Sequence, residues 1–303
     1  MTVIHPAIRL ADERLSNGTT LSTRRAGSED APRRIVLLHG FPEAAFVWDE
    51  VITALAPETL CVAPNLRGYE RSSQPAGVEA YRAKHLVADV VALIERLGAP
   101  LDLLVAHDWG GGVAWNLAAL RPDLMKRLVI LNAPHPGTFV QALRQDAEQQ
   151  RASAYMLDLV RPDAAERLAR DDFAALWAKF QRDGQAPAWL TEAVKDQYRA
   201  VWQRGLDGAL NYYRASPLRP LTGPGDASID QLVLPDSVLR VTVPTTVLWG
   251  EQDHALRPVL LDGLDRWVPD LSVHRQPEAS HWIVHEQPAW VIARLREALA
   301  AAA

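Results

Sequence analysis

Short apolar runs alternate with helix-like patterns along most of the chain beyond Pro32. Runs of this length without a regular polar position are typical of strands that are buried on both faces. The segments between them carry apolar residues three and four positions apart, which indicates helices with one inward face. Together they predict an α/β fold with a mainly parallel central sheet and helices on both faces. The six runs lie at residues 33–40, 59–65, 102–108, 127–132, 245–250 and 271–276.

A hairpin is predicted before the first of these runs. Two segments of alternating polarity surround the pair Asn17-Gly18 near the N-terminus. This pair between alternating segments is the strongest short-range signal for two antiparallel strands.

The alternation stops from about Pro136 to about Leu221, where the sequence favours helices throughout. A Pro- and Gly-rich stretch at residues 217–228 then reads as a linker, before the sheet pattern resumes near Val241. We therefore expect an α/β core interrupted by an all-helical cap. The predicted division is core at 1–135, cap at 136–225 and core again at 226–303.

Composition excludes several classes of function. The formal net charge is −5, from 32 basic and 37 acidic residues, and no basic tract supports binding to nucleic acid or to an anionic membrane. The first residues lack a signal-peptide pattern, and no apolar run reaches membrane-spanning length. The one cysteine, Cys61, excludes an internal disulfide and favours a reducing cytoplasm. Cys61 lies inside an apolar run, which predicts a core position.

Asp108 occupies the corner between a predicted strand and a predicted helix. It is the middle of the sequence Ala106-His107-Asp108-Trp109-Gly110. Small residues two positions to either side permit a tight, strained turn that projects the middle side chain away from the sheet as a nucleophile. The N-terminus of the following helix also stabilises a carboxylate. The alternative interpretation is that Asp108 merely caps this helix.

A nucleophile in this position requires a base and an acid that orients it, in the chain order nucleophile, acid, histidine. Asp253 follows the strand at 245–250, and His281 follows the strand at 271–276. Both stand at the carboxyl ends of parallel strands, where open α/β sheets bind ligands. Glu251 is a lesser alternative to Asp253. The run that ends at Asn132 offers no competing acid.

Developing negative charge requires hydrogen-bond donors, and the segment that follows the first apolar run can supply one. The pair His39-Gly40 permits a turn that directs the Phe41 amide toward Asp108. We expect the amides of Phe41 and Trp109 to form an oxyanion hole. His39 itself is predicted to be structural, hydrogen-bonded beneath the loop.

Six motifs in this order resemble those of the soluble α/β-hydrolase-fold epoxide hydrolases, which are related to the haloalkane dehalogenases. The resemblance implies that Asp108 forms a covalent ester and that water activated by His281 and Asp253 hydrolyses it. It implies no cofactor, and the histidines show no metal-ligand spacing. The motifs are HGFPE (39–43), NLRGYERSS (65–73), AHDWGG (106–111), LNAPHP (131–136), WGEQD (249–253) and SHWIVHEQP (280–288).

Epoxide hydrolases of this family use two cap tyrosines to bind the epoxide oxygen. The segment SAYMLDLVRP resembles the first cap motif and indicates Tyr155. The segment GALNYYRAS resembles the second and indicates Tyr213, with Tyr212 as the adjacent alternative. A phenol is suited to this role because it is neutral at pH 7 and can donate its proton.

The expected substrate is an apolar epoxide, which reacts with water alone. A homodimer stays open as an alternative to a monomer. Five further side chains are predicted to line the substrate pocket: Pro42, Trp109, Trp177, Tyr212 and Trp282.

Two other functions are weighed against this one. Haloalkane dehalogenases bind halide with a tryptophan after the nucleophile and an asparagine or a second tryptophan. Here Trp109 fits, but Phe41 stands where that asparagine is expected, while a cap tryptophan such as Trp177 stays open. Fluoroacetate dehalogenases carry arginines where Trp109 and Gly112 stand. A non-catalytic binding protein of the same fold has no reason to keep Asp108, Asp253 and His281 together.

Two positions depart from the family pattern. Glu70 replaces a common glycine, and Ala106 replaces another. Neither change alters the predicted chemistry.

Overall fold

A computed structural model describes residues 5–223 and 225–302. Eight strands form one sheet in the order β1-β2-β4-β3-β5-β6-β7-β8. Strand β2 pairs antiparallel with β1 on one side and with β4 on the other, and every neighbouring pair from β4 to β8 in this order is parallel. The strands are β1 (Arg9–Arg14), β2 (Thr20–Ala26), β3 (Arg33–Leu38), β4 (Thr59–Pro64), β5 (Leu101–His107), β6 (Met125–Leu131), β7 (Thr245–Gly250) and β8 (Leu271–Gln276).

Helices cover the sheet on both faces, as the sequence predicted. Helices α2 and α3 pack together on one face, while α1 and α13 pack together on the other. No helix among residues 5–223 and 225–302 is both long and apolar enough to cross a membrane. The helices are α1 (Asp49–Leu55), α2 (Ala83–Leu97), α3 (Asp108–Leu120), α4 (Pro136–Gln145), α5 (Ala147–Ala152), α6 (Tyr155–Leu159), α7 (Ala164–Phe180), α8 (Glu192–Trp202), α9 (Asp207–Ala215), α10 (Ser228–Gln231), α11 (Asp236–Leu239), α12 (Ile283–Glu286) and α13 (Pro288–Ala300).

The buried strands have the continuous apolar composition that burial on two faces requires. Every residue of β4, β5 and β7 is buried. Cys61 of β4 is fully buried, in agreement with the core position predicted for it.

The last strand differs from the prediction. The sequence predicts a buried run at 271–276 like the others, but every residue of β8 is exposed or partly exposed. Val273 is 39% exposed. The reason is topological, because β8 is the edge strand and pairs with β7 alone.

The N-terminal hairpin is present. Strands β1 and β2 pair antiparallel, with Arg14 opposite Thr20. Leu15 and Thr19 extend the pairing by a hydrogen bond of 2.8 Å from the Leu15 amide to the Thr19 carbonyl. Gly18 has a φ of 84°, a left-handed conformation that glycine adopts without strain.

The segment between β6 and β7 is helical, as predicted for the cap. Helices α4 to α11 lie in it, without a strand among residues 132–223 and 225–244. Helix α7 is two helical pieces, because residues 170–173 leave helical geometry. The boundaries of the cap at residues 136 and 225 stay a prediction.

The strand order determines where a site can form. Strand β3 lies between β4 and β5. From the carboxyl end of β3 the chain continues to β4 on one side, whereas from the carboxyl end of the neighbouring β5 it continues to β6 on the other side. Such a switch point leaves a crevice at the sheet edge. The segment that follows β3 and the corner that follows β5 meet there.

A buried ion pair fastens the hairpin to this frame. Both carboxylate oxygens of Asp89, on α2, accept hydrogen bonds of 2.6 Å from the Arg67 guanidinium. Asn17 and Thr19 of the hairpin turn donate to the same carboxylate at 2.8 Å each. The Asp89 side chain is 3% exposed, so its loss leaves a largely buried cation without a partner.

Replacing Asp89 by alanine should therefore lower the free energy of unfolding by about 3–5 kcal/mol, the usual cost of breaking a buried pair. Urea denaturation measures this change. The control is Asp123→Ala, which removes a carboxylate from an exposed pair with Arg121 and should leave stability nearly unchanged. Equal losses in the two variants would contradict the structural role of Asp89.

Candidate active site

The corner after β5 is tight, as the small residues around it predicted. Asp108 is the first residue of α3 and has a φ of 49°, which is strained for a residue with a Cβ atom. A Cβ atom on Gly40 would lie 2.3 Å from the Asp108 side chain. A Cβ atom on Gly110 would lie 2.6 Å from the His39 carbonyl oxygen. Glycine is therefore required at position 110 within the corner and at position 40 in the loop that packs against it.

The Asp108 carboxylate is held at two points. Its Oδ1 accepts a hydrogen bond of 2.7 Å from the Phe41 amide. Its Oδ2 lies 3.6 Å from His281 Nε2. The N-cap position of α3 belongs to His107 rather than Asp108, so the helix-capping alternative does not describe this carboxylate. Trp109 follows in the first turn, where helix amides have no intrahelical partner.

His281 and Asp253 form a tight pair beside Asp108. The Nδ1 of His281 lies 2.6 Å from Asp253 Oδ2. The amides of Ala255 and Leu256 donate to Asp253 Oδ1 at 2.9 Å and 2.8 Å. Asn132 donates to Asp253 Oδ2 at 2.9 Å. These bonds fix the carboxylate so that it orients the imidazole.

Asn132 is a residue that the sequence reasoning missed. The sequence indicates only that this strand end offers no competing acid, and it predicts no role for the Asn132 side chain. The Asn132 side chain instead joins two strand ends, since its oxygen also accepts a hydrogen bond of 2.8 Å from the Gly250 amide. Its place at the carboxyl end of a buried parallel strand was the signal that could have indicated it.

The charges of this pair depend on each other. Burial alone would lower the pKa of His281, but the Asp253 carboxylate outweighs it and, with Asp108 and Glu43, raises the pKa of His281 to about 9. Burial would likewise raise the pKa of Asp253, but the nearby His281 lowers it below its usual range. The resting site therefore favours a protonated imidazole between two carboxylates.

Two other predictions concern nearby residues. Glu251, the lesser alternative to Asp253, pairs with the exposed Arg275 at 3.2 Å, whereas the carboxylate that contacts His281 Nδ1 is that of Asp253. His39 is fully buried, and its Nε2 accepts a hydrogen bond of 3.0 Å from the Leu66 amide. Burial lowers the pKa of His39 to about 4, so it stays neutral. It has the structural role that was predicted.

Tyr155 and Tyr213 line the same cavities as Asp108. Their rings are 6.3 Å apart at the centroids and meet edge to face. Burial, reinforced by nearby groups that include Asp108, raises the pKa of both phenols and keeps them protonated. Tyr212 points elsewhere, because its hydroxyl donates to the Arg67 carbonyl at 2.8 Å. The geometry therefore favours Tyr213 over Tyr212 as the second cap donor.

Two cavities share Asp108, Tyr155 and Tyr213 among their lining residues. The smaller, of about 230 Å³, is walled mainly by apolar side chains, and Trp109 and Tyr212 contribute to it. The larger, of about 780 Å³, also contains Asp253 and His281, together with more polar groups.

Of the other predicted pocket residues, two line the larger cavity and one lies outside both cavities. Pro42 and Trp282 line the larger cavity. Trp177 lines neither cavity. Its ring packs 4.4 Å from that of Trp202 inside the cap, and its indole N–H donates to the Asp172 carbonyl at 2.6 Å. Trp177 is thus a packing residue of the cap, since the break in α7 supplies it with a partner.

A second carboxylate–histidine group lies behind His281. Glu43 is fully buried, with His107 at 3.1 Å on one side and His285 at 3.0 Å on the other. Burial would raise the pKa of Glu43, but these two histidines lower it well below its usual range. His107 also contacts the His281 carbonyl at 2.9 Å. Glu43 and His107 therefore stabilise the position of the loop that carries His281.

Known proteins share this arrangement of elements. The chain is 33% identical over 279 residues to the AB hydrolase superfamily protein YfhM of Bacillus subtilis, a match that covers 91% of this chain and 93% of that protein. It is 30% identical to epoxide hydrolase A of Mycobacterium tuberculosis, over 97% of both chains. The crystal structure of an epoxide hydrolase variant from Bacillus megaterium, complexed with its product (R)-3-[1]naphthyloxy-propane-1,2-diol, has 31% identity and a TM-score of 0.86. That similarity covers 95% of this chain and 99% of the other.

A family model described as the alpha/beta hydrolase fold matches residues 33–288. The chain therefore belongs to the α/β-hydrolase fold family. Within that family it groups with the epoxide hydrolases, which include relatives at 30% identity over most of the chain.

The raised pKa of His281 predicts a pH-dependent contribution to stability. Because the pKa rises from its ordinary 6.5 to about 9 on folding, the folded chain retains a proton that the unfolded chain releases between these values. The stabilisation is complete below pH 6.5 and is lost as the pH rises through about 9. It amounts to about 3 kcal/mol.

Urea unfolding of the wild type and of His281→Gln at both ends of this pH range measures the difference. The wild type should lose about 3 kcal/mol more than the variant on going to high pH. His274→Gln, on the edge strand β8, is the matched control and should behave as the wild type. Parallel losses in all three proteins would contradict the charge coupling.

Proposed function

We propose that this protein opens epoxides to vicinal diols through a covalent ester on Asp108. One observation carries the proposal: two protonated phenols, Tyr155 and Tyr213, line the same two cavities as the Asp108 carboxylate. When a ring carbon of an epoxide lies against Asp108, the epoxide oxygen therefore faces the Tyr155 and Tyr213 hydroxyls. Ring opening requires both groups at once, because the nucleophile attacks carbon while the oxygen becomes an alkoxide.

In the first half-reaction, Asp108 Oδ2 attacks a ring carbon and the carbon–oxygen bond of the ring breaks. Tyr155 and Tyr213 donate hydrogen bonds to the leaving oxygen, and the proton of Tyr155 moves to the resulting alkoxide, which leaves a tyrosinate. The product is a hydroxyalkyl ester of Asp108. Its carbonyl oxygen is Oδ1, which already accepts the Phe41 amide at 2.7 Å.

In the second half-reaction, His281 removes a proton from a water molecule that attacks the ester carbonyl carbon. The Phe41 and Trp109 amides stabilise the resulting oxyanion. Collapse of this intermediate breaks the bond between the acyl carbon and the alkyl oxygen. The diol leaves with the proton from His281, and Asp108 is left as the carboxylic acid. Return of its proton to the Tyr155 oxygen regenerates the Asp108 carboxylate.

Formation of the ester also prepares the base. Asp108 is one of the groups that raise the pKa of His281 in the resting site. The ester carries no charge, so this contribution disappears and the pKa of His281 falls. A larger fraction of the imidazole is then neutral at the stage that requires a proton acceptor.

Other activities lack a comparable observation. A halide site needs nitrogen donors around the leaving group. Phe41 stands where the halide-binding asparagine of the dehalogenases is expected, and Trp177 packs against Trp202 inside the cap instead of lining a cavity. The two cap phenols have no task in dehalogenation. A non-catalytic binding protein would not require the 2.6 Å contact between His281 and Asp253.

The apolar wall of the smaller cavity supports epoxides with an apolar or aromatic substituent. The aryloxy diol named for the Bacillus megaterium protein is a product of that type. Aryl glycidyl ethers are accordingly the first substrates to test. A cytoplasmic location and the choice between monomer and homodimer stay predictions, and light scattering on the purified protein decides the second.

Replacing His281 by glutamine should trap the ester. Ring opening proceeds but hydrolysis stops, so intact mass spectrometry should find the variant heavier by the whole mass of the epoxide. The adduct should map to the peptide that contains Asp108. His274→Gln should turn over normally and carry no adduct. Normal turnover by His281→Gln would contradict the scheme.

The two cap tyrosines should act in the first half-reaction. Tyr155→Phe and Tyr213→Phe should each slow ester formation at least about 10-fold, and the double variant by about 1,000-fold, because a proton donor to the alkoxide is lost. Tyr212→Phe removes a hydrogen bond to the Arg67 carbonyl instead and should have a small effect on this rate. Rapid-mixing measurements of the first turnover separate the two steps. A larger effect at Tyr212 than at Tyr213 would reverse the assignment.

A further inference from the structure

Lys179 brings a positive charge into the larger cavity. It lies on the last turn of α7 and lines this cavity together with Asp108 and His281. Its ammonium group lies over the ring of Tyr155, 5.0 Å from the centroid. A cation in this position is attracted by the electrons of the ring face.

The surroundings of Lys179 differ from those of the cap cations Lys195 and Arg199. Lys195 pairs with Glu192 at 2.7 Å, and Arg199 pairs with Asp172 at 2.9 Å. Within residues 5–223 and 225–302, Lys179 has no carboxylate within 4.0 Å. Burial lowers its pKa, with Asp158 opposing this only at longer range. Partial burial of a cation without a paired anion is unfavourable in the resting protein.

Tyr155 is the group at which a negative charge would develop. When the epoxide ring opens, the new alkoxide takes a proton from a phenol that faces it, which leaves a tyrosinate. That charge spreads into the ring, directly below the Lys179 ammonium. The two carboxylates near Tyr155, Asp108 and Asp253, oppose its ionisation, and Lys179 is the cation over its ring.

We propose that Lys179 is a positioning residue that stabilises the tyrosinate of Tyr155 during ring opening. The inference rests on the proposed function, because it requires Tyr155 to give its proton to the alkoxide. Attraction between the ammonium and the ionised ring is stronger than between the ammonium and the neutral ring. The interaction therefore grows in the transition state, which is the condition for accelerating the step.

The atoms and protons balance over the cycle. Asp108 forms a carbon–oxygen bond as the ring bond breaks, and the proton of Tyr155 moves to the alkoxide. Hydrolysis then adds water across the ester and leaves Asp108 as the carboxylic acid. The proton of this acid returns to the Tyr155 oxygen, which restores the resting enzyme.

The experiment measures ester formation and ester hydrolysis separately, in one rapid-mixing trace, with a neutral aryl glycidyl ether. Lys179→Met keeps the length of the side chain and should slow ester formation about 10-fold, while ester hydrolysis changes little. Lys179→Arg should restore most of the rate, since it keeps the charge. Lys195→Met, which removes a cap lysine from a surface pair, is the matched control and should behave as the wild type.

A double-mutant cycle with Tyr155→Phe distinguishes this role from packing. In the Tyr155→Phe background, Lys179→Met should have no further effect on ester formation. An unchanged rate for Lys179→Met, or an equal loss in both backgrounds, would overturn the proposal. So would a loss confined to epoxides that carry a carboxylate, since Lys179 would then bind substrate. A wild-type protein that yields no diol from any neutral epoxide would instead overturn the proposed function, and the inference with it.

Discussion

The site depends on the close approach of two strand ends at the carboxyl edge of the sheet. The loop after β3 lies directly against the corner after β5, and only glycine fits where the Asp108 side chain touches Gly40. This contact brings the Phe41 amide to 2.7 Å from the carboxylate. The left-handed backbone of Asp108 is strained, and burial of the surrounding strands maintains it. A nucleophile and its oxyanion donor are thus fixed before any substrate binds.

Electrostatic interactions couple Asp108 at this corner to His281 and Asp253. His281 stands between the carboxylates of Asp108 and Asp253, and each charge alters the protonation of the others. An uncharged ester on Asp108 changes this balance in favour of a neutral imidazole. The cap contributes phenols from two different helices, and the break in α7 changes the direction of the chain before Lys179. Core and cap therefore supply different halves of the proposed chemistry, the nucleophile and base from one and the proton donors from the other.

Much of this arrangement could be predicted from the sequence, because polar residues at the ends of apolar runs stand out. Asp108 and Asp253 follow buried strands and His281 follows the edge strand β8, and parallel topology brings strand ends to one edge. What could not be predicted depends on contacts between distant segments. The exposure of β8 follows from its place at the sheet edge, and Trp177 packs inward because α7 breaks at residues 170–173. The support that Asn132 gives Asp253 requires two strand ends to be adjacent, which no single motif encodes.

The most direct test of the account follows the oxygen atom of water during a single turnover. An excess of enzyme is mixed with an aryl glycidyl ether in water labelled with heavy oxygen, and both products are analysed by mass spectrometry. If water attacks the ester carbonyl of Asp108, the first diol is unlabelled and the heavy oxygen appears in the peptide that contains Asp108. A labelled diol in the first turnover, with an unlabelled Asp108, would show that water attacks the epoxide directly and would contradict the covalent mechanism.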